Sequence, residues 1–211
     1  MKITKIYFIL LLLVTQFAFS QDGIPVYSDY FSDNLYLLHP SMAGATGSNQ
    51  LRLSARRQWF DQDEAPNLNT LTFNTSLSDQ SGIGVVLFTD RNGYHSQTGG
   101  YLGYAHHILL SRSRADLNQV SFGLRAGLIQ QKLDETQFDL NDYDPIIAGI
   151  VQSTSYFNID AGVSYNLLNF AADFTVKNLI FQNRDIYSQD FESNNQRRYL
   201  FGASYGVAIP N

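Results

Sequence analysis

Cysteine is absent from this 211-residue chain, which excludes disulfides, thiolate metal sites and a cysteine nucleophile together. Charge is scarce as well. Asp, Glu, Lys and Arg make up 16% of the residues, against roughly 25% in ordinary soluble domains. What charge there is leans acidic, 19 Asp and Glu against 14 Lys and Arg. That balance argues against a nucleic-acid partner, because binding a phosphate backbone needs clustered cations. Beyond the N-terminal twenty residues there is no apolar run long enough for a transmembrane helix. A chain exported without disulfides must draw its stability from a sizeable core or from a membrane.

Aromatics, by contrast, are abundant at 14%, with 15 Phe and 13 Tyr. The N-terminus carries a basic start, Met1 to Lys5, then the apolar run Ile6 to Val14, then small residues at Ala18 and Ser20. This is the layout of a cleaved secretory signal over residues 1–20, with Gln21 as the mature first residue. With no cysteine after that run, lipid attachment is excluded. Residues 21–48 fit no strand and read as an aromatic lead-in that packs on or inside the main fold. Residues 49–211 carry the regular pattern.

That pattern has period two. Val120, Phe122, Leu124, Ala126 and Leu128 alternate with Ser121, Gly123, Arg125 and Gly127. Phe157, Ile159, Ala161, Val163, Tyr165 and Leu167 alternate with Asn158, Asp160, Gly162, Ser164 and Asn166. The same holds for Phe170–Lys177 and Tyr199–Ala208, and less cleanly near Gln50–Gln58, Asn69–Leu77, Gly82–Thr89 and Thr98–Ile108. Alternation of this kind predicts half-buried strands, and no helical period is sustained. About eight strands result, many near ten residues; a tilted strand of that length rises roughly 25 Å, the height of a membrane barrel's apolar band. Thr89–Tyr94 reads as a turn, while Ser111–Asn118, Asp134–Ser155 and Arg184–Arg198 read as loops. The expected fold is all-β, an antiparallel transmembrane β-barrel of outer-membrane type. A secreted β-sandwich is the soluble competitor.

Arg125, Asp160, Asp173 and Lys177 all fall on the small, polar face, as lipid exposure of the other face requires. They form a candidate interior charge network. Other chemistry is thinner. His106 and His107 are adjacent on a strand, point to opposite faces and cannot share a metal ion. They read as a polar band near the membrane edge, and His39 and His95 as separate loop residues without ligand spacing. The acidic clusters Asp61, Asp63, Glu64 and Asp139, Asp142, Asp144 lack the Gly and terminal Glu of a calcium loop. No G-x-S-x-G occurs and no Ser–His pair is evident, so the reading is of a non-enzyme without metal or cofactor.

Five motifs in order then carry a family resemblance. They are Asn34-Leu35-Tyr36-Leu37 through Pro40, Ala43 and Gly44; Arg56-Arg57-Gln58-Trp59; Gly82-Ile83-Gly84 with Asp90-Arg91-Asn92-Gly93; Tyr104-Ala105-His106-His107-Ile108; and Ser121-Phe122-Gly123-Leu124-Arg125-Ala126-Gly127-Leu128. Together they resemble the PorP/SprF family of Bacteroidota, outer-membrane proteins of the type IX secretion and gliding machinery. His39 stands where that family has Asn, and Met42 where it is more often aromatic. The resemblance implies a role in exporting, or holding at the surface, large adhesin-like proteins through their C-terminal domains. It further implies contact with other type IX secretion components and with outer-membrane lipid. Binding would rest on loops and the lead-in, including Trp59, Tyr27, Tyr30 and Phe31. A passive porin-like channel is the alternative, and a lipid-modifying barrel enzyme a third. Members of that family continue for several strands past the position of Tyr199, whereas this chain stops at Asn211 without a terminal aromatic strand; a barrel incomplete at its C-terminus is expected.

Overall fold

The computed structural model describes residues 33–59, 61–62, 64–111, 118–136, 149–184, 186, 193–194 and 196–207. Residues 1–20, read as a signal sequence, lie outside them, as do Tyr27, Tyr30, Phe31, Asp63 and the acidic cluster Asp139–Asp144. Eight strands form one antiparallel sheet: β1 (Gln50–Arg57), β2 (Asn67–Ser78), β3 (Ser81–Asn92), β4 (His95–Leu109), β5 (Asn118–Asp134), β6 (Val151–Leu167), β7 (Phe170–Lys177) and β10 (Arg198–Tyr205). A short separate ribbon pairs β8 (Asn183–Arg184) with β9 (Ser193–Asn194). Each strand of the main sheet pairs with its neighbour in sequence, apart from the β8–β9 excursion, and the meander curls into a half-barrel. Ahead of it lie one helical turn, α1 (Leu35–Leu38), and a 3-10 turn (Pro40–Met42).

Burial in this sheet is inverted relative to a soluble protein. Leu53, Leu102 and Leu128 on the convex face are 77, 69 and 65% exposed, whereas Asn158, Asp160 and Thr72 on the concave face are at most 1% exposed. A soluble sandwich would bury the leucines, since apolar area removed from water is the main drive to fold. A sheet with an apolar convex side and a polar concave side is suited to lipid outside and hydrogen-bonding groups inside.

The register sharpens this into a band. Leu53, Leu71, Leu87, Gly100, Leu128 and Phe157 stand opposite one another on successive strands, forming one apolar row across the convex face. One step further along are Ala55, Asn69, Thr89, Thr98, Gln130 and Ser155, and beyond them Arg57, Asn67, Arg91, Ser96, Lys132 and Ser153. The convex face therefore turns polar at the same row on the five strands β2 to β6, and one row later, at Arg57, on β1. This switch explains why the strands outrun their sequence-based boundaries. β5 and β6 have 17 residues each, a length of roughly 55 Å, and pairing continues where the alternation of apolar residues has ended. Residues 151–155 are accordingly strand rather than loop, and Thr89–Asn92 belong to β3. The turn shrinks to Gly93 and Tyr94, with Gly93 at φ 61°. β1 and β10 are each paired on one side only among the described residues.

Placing Arg at position 128, inside the apolar row, should cost about 2–4 kcal/mol of folding free energy in lipid vesicles, while Arg at 130 should be nearly neutral. Urea titration of the vesicle-embedded protein measures both. Equal tolerance of Leu128→Arg and Gln130→Arg would overturn the assignment of the band.

Candidate functional site

The concave face is not an empty trough; the lead-in fills it. Asn34 begins α1 without capping it, and its Nδ2 instead donates to Thr72 Oγ1 on β2 at 2.9 Å. The helix lasts one turn because Pro40 comes two residues after Leu38 and restricts His39 to extended backbone. Pro40 then opens the 3-10 turn, a position where its missing N–H costs nothing. The segment runs out across the sheet to β6 and β7, where Ser41 Oγ meets Ser164 Oγ at 2.6 Å and His39 Nδ1 meets Thr175 Oγ1 at 2.9 Å. It then returns to β2, where Gly44 N–H donates to Asn74 Oδ1 at 3.2 Å.

Glycines on the concave face make room for this path. A Cβ at Gly123 would fall on the Pro40–Ser41 backbone, one at Gly84 on the Tyr36 ring, and one at Gly82 on the Ala43 carbonyl. Gly44 is doubly constrained: φ is 69°, and a Cβ there would come within 2.8 Å of Gly82 Cα. The lead-in motif and the glycines of the strand motifs are thus mating surfaces. Tyr36, Leu37, Ala43, Val86 and Ala105 form a small apolar cluster between them, with Tyr101 against it.

At the centre stands Arg125, with its side chain 3% exposed. Its Nε donates to Asp160 Oδ2 at 2.7 Å, and its Nη1 donates to the Leu37 carbonyl at 2.8 Å and, longer, to that of Tyr36 at 3.4 Å. Its guanidinium lies 5.0 Å from the centre of the Tyr101 ring. Arg125 and Asp160 are direct cross-strand partners on β5 and β6. Asp160 Oδ1 accepts the Asn178 N–H at 2.9 Å, and the Asn178 side chain is held in turn by Asn158. The pairing of Ala161 with Val176 puts Lys177 beside Asp160 at the end of that ladder. Lys177 is buried within electrostatic reach of Arg125, Asp160 and Arg198. Asp173, also buried, lies within reach of His39, and its Oδ1 has no hydrogen-bond partner among the described residues. Burial holds the His39 pKa below its ordinary value; Asp173 works against this, while Lys177 and Arg125 add to it.

The remaining motif residues lie elsewhere. Gln58 and Trp59 come directly after β1, and Asp90, Arg91 and Gly93 lie at the β3–β4 turn, at the same end of the sheet. Glu64 joins the two loops: its carboxylate pairs with Arg91 at 2.7 Å and its carbonyl accepts the Gly93 N–H at 3.2 Å. Trp59 is 69% exposed on a backbone with φ 55°, a conformation that is costly for an aromatic residue. The lead-in motif, Arg125 and Asp160 therefore form one group, and the loop motif another.

Two sequence readings need correction. His107 is not part of a polar rim but is buried beneath the lead-in, while His106 is exposed. A Ser–His pair does exist: His107 Nδ1 lies 2.8 Å from Ser121 Oγ, and Nε2 lies 2.9 Å from the Ala43 carbonyl. A carbonyl can only accept, so Nε2 carries the proton and Nδ1 accepts from Ser121. That resembles a hydrolase arrangement, but with the lead-in seated Ser121 is fully covered, and it also takes a hydrogen bond from Gln119. Cross-strand contact of His107 with Ser121 follows from register, which no local motif reveals. Among the described residues no three His, Asp or Glu side chains gather into a metal-holding group.

Arg125→Ala should destabilise the folded protein by about 3–5 kcal/mol, because it strands the Asp160 carboxylate in a buried site. Arg125→Leu combined with Asp160→Leu should lose less than the two single changes added together. Urea midpoints in vesicles provide the cycle; an unchanged midpoint for Arg125→Ala would refute a holding role for the pair.

No curated protein and no solved structure matches the chain. A family model described as type IX secretion system membrane protein PorP/SprF matches residues 19–209, nearly the whole length. On that match the chain belongs to the PorP/SprF family of type IX secretion system membrane proteins.

Proposed function

We propose that the protein is a non-enzymatic outer-membrane component that assists the export or surface attachment of large adhesin-like proteins, engaging their C-terminal domains. The single observation that carries this reading over a porin is the filled concave face. A passive channel needs a water-filled interior, whereas here Tyr36, Leu37, Leu38 and Pro40 occupy it and are buried. Membership of a secretion-system family supports the same choice.

The loop motif supplies a docking surface for that role. The connections after β1, β3, β5 and β7 all emerge at one end of the sheet and, apart from the turn at 93–94, are the longer ones; at the other end are the tight turns at 79–80 and 168–169 and the connection 110–117 after β4. In outer-membrane barrels the short turns face the periplasm and the longer loops face outward. By that rule Trp59, Arg91 and Gly93 face the cell exterior. An exposed Trp on a loop braced by the Glu64–Arg91 pair is the residue type that dominates binding energy at protein interfaces.

Deleting the gene in its native organism should remove one or more large adhesin-like proteins from the cell surface, and Trp59→Ala should restore them only partly while the wild-type gene restores them fully. Surface proteomics reads both. An unchanged surface proteome together with reduced uptake of small solutes would favour the porin reading instead. Altered outer-membrane lipid composition with an unchanged proteome would favour the enzyme.

A further inference from the structure

The lead-in is held to the sheet in an unusual way. Among the described residues, every main-chain to main-chain hydrogen bond of residues 34–47 stays within the segment: Leu37 to Asn34, His39 to Leu35, Met42 to His39, Ala43 to Pro40, Ala45 to Met42 and Gly47 to Gly44. It has no strand register. Contact with the sheet is made through side chains, chiefly Asn34–Thr72, His39–Thr175, Ser41–Ser164 and the Arg125 hydrogen bond to the Leu37 carbonyl. Such a body can leave without breaking a ladder.

The seat it would leave is also one that water can wet. Its lining is mostly polar, with Thr72, Asn74, Ser121, Arg125, Ser164 and Thr175 all buried and all carrying hydrogen-bonding groups, beside the smaller apolar patch of Val86 and Ala105. An apolar pocket of the same size would have to collapse or stay dry, but a polar one exchanges its plug contacts for hydration at modest net cost. The polar grip and wettable seat together are what separate a gate from a core.

We propose that residues 34–44 are a releasable plug: seated, they block the concave side of the barrel, and released, they open a passage lined by the concave face of β2 to β7. Arg125 is the latch, since it joins the Asp160 carboxylate of the wall to a plug carbonyl at the middle of the path. The proposal rests on the barrel reading of the fold and is independent of which cargo the protein serves.

The absence of native cysteine makes the test direct. Ser41→Cys with Ser164→Cys places two thiols where hydroxyls now lie 2.6 Å apart, so that oxidation ties the plug to β6. In planar bilayers the oxidised full-length protein should be silent, and reduction should raise the frequency of channel openings by roughly tenfold or more. Equal conductance before and after reduction would overturn the gate, whether both states are silent or both are open. A second readout uses Ser41→Cys alone with a hydrophilic maleimide. Gly123→Ala, whose added methyl collides with the Pro40–Ser41 backbone, should speed labelling of the introduced thiol by roughly tenfold in protein that still shows the folded band on unheated gels. Unchanged labelling in that folded protein would refute the proposal. Loss of the folded band would refute it too, because a releasable plug must be dispensable to the sheet. Neither readout involves an adhesin, so failure here leaves the secretion role standing, and the reverse.

Discussion

The Arg125–Asp160 pair is the point on which the interior depends. With the lead-in seated it is buried in a fold whose outer surface faces lipid, so each charge must be satisfied from within. Asp160 does this by accepting from Arg125 and from the Asn178 N–H; Arg125 does it by reaching the lead-in carbonyls and the Tyr101 ring. One guanidinium thereby couples three things that the chain makes separately: the β5–β6 ladder, the bend after β7, and the segment that precedes the first strand. The remaining polar contacts, His39 with Thr175 and Ser41 with Ser164, extend that coupling sideways and fix where the lead-in turns back.

Much of the sheet was legible in the sequence because its rule is local. Alternation with period two sorts every side chain to one of two faces, so the placement of Arg125, Asp160, Asp173 and Lys177 on the polar face followed from counting. Strand ends were less legible. Beyond Leu128 and Phe157 the convex residues turn polar where the apolar band ends, yet the hydrogen-bond ladder runs on through Gln130–Asp134 and Val151–Ser155. Hydrophobic pattern reports lipid contact, not pairing, and the two part company at that row. The Ser121–His107 contact and the path of the lead-in were out of reach for a further reason. Both depend on which strands lie side by side and at what offset, and neither is written in any single stretch of chain.

The family motifs acquire a physical meaning in this light. Leu35 to Gly44 and the strand glycines Gly82, Gly84 and Gly123 look like unrelated signatures along the chain, but one is the key and the other the keyway. A methyl group on the sheet side would be as disruptive as a change in the lead-in, which gives both the same constraint. The loop motif obeys a different one. Arg91 and Gly93 are tied through Glu64 to the loop that carries Trp59, away from the lead-in, so this group can change without disturbing the interior.

The path of the lead-in also imposes an order in time. Its anchoring residues lie on strands from Thr72 on β2 to Thr175 on β7, positions far apart in sequence that become neighbours only when the sheet has curled. The strands themselves pair with near neighbours and can form hairpin by hairpin at little loop-closure cost. The segment that precedes the strands along the chain therefore docks last. Until it does, Arg125 lacks its lead-in carbonyl and is held by Asp160 and the Tyr101 ring, and the arrival of Leu37 at Arg125 marks the moment at which the interior is finished.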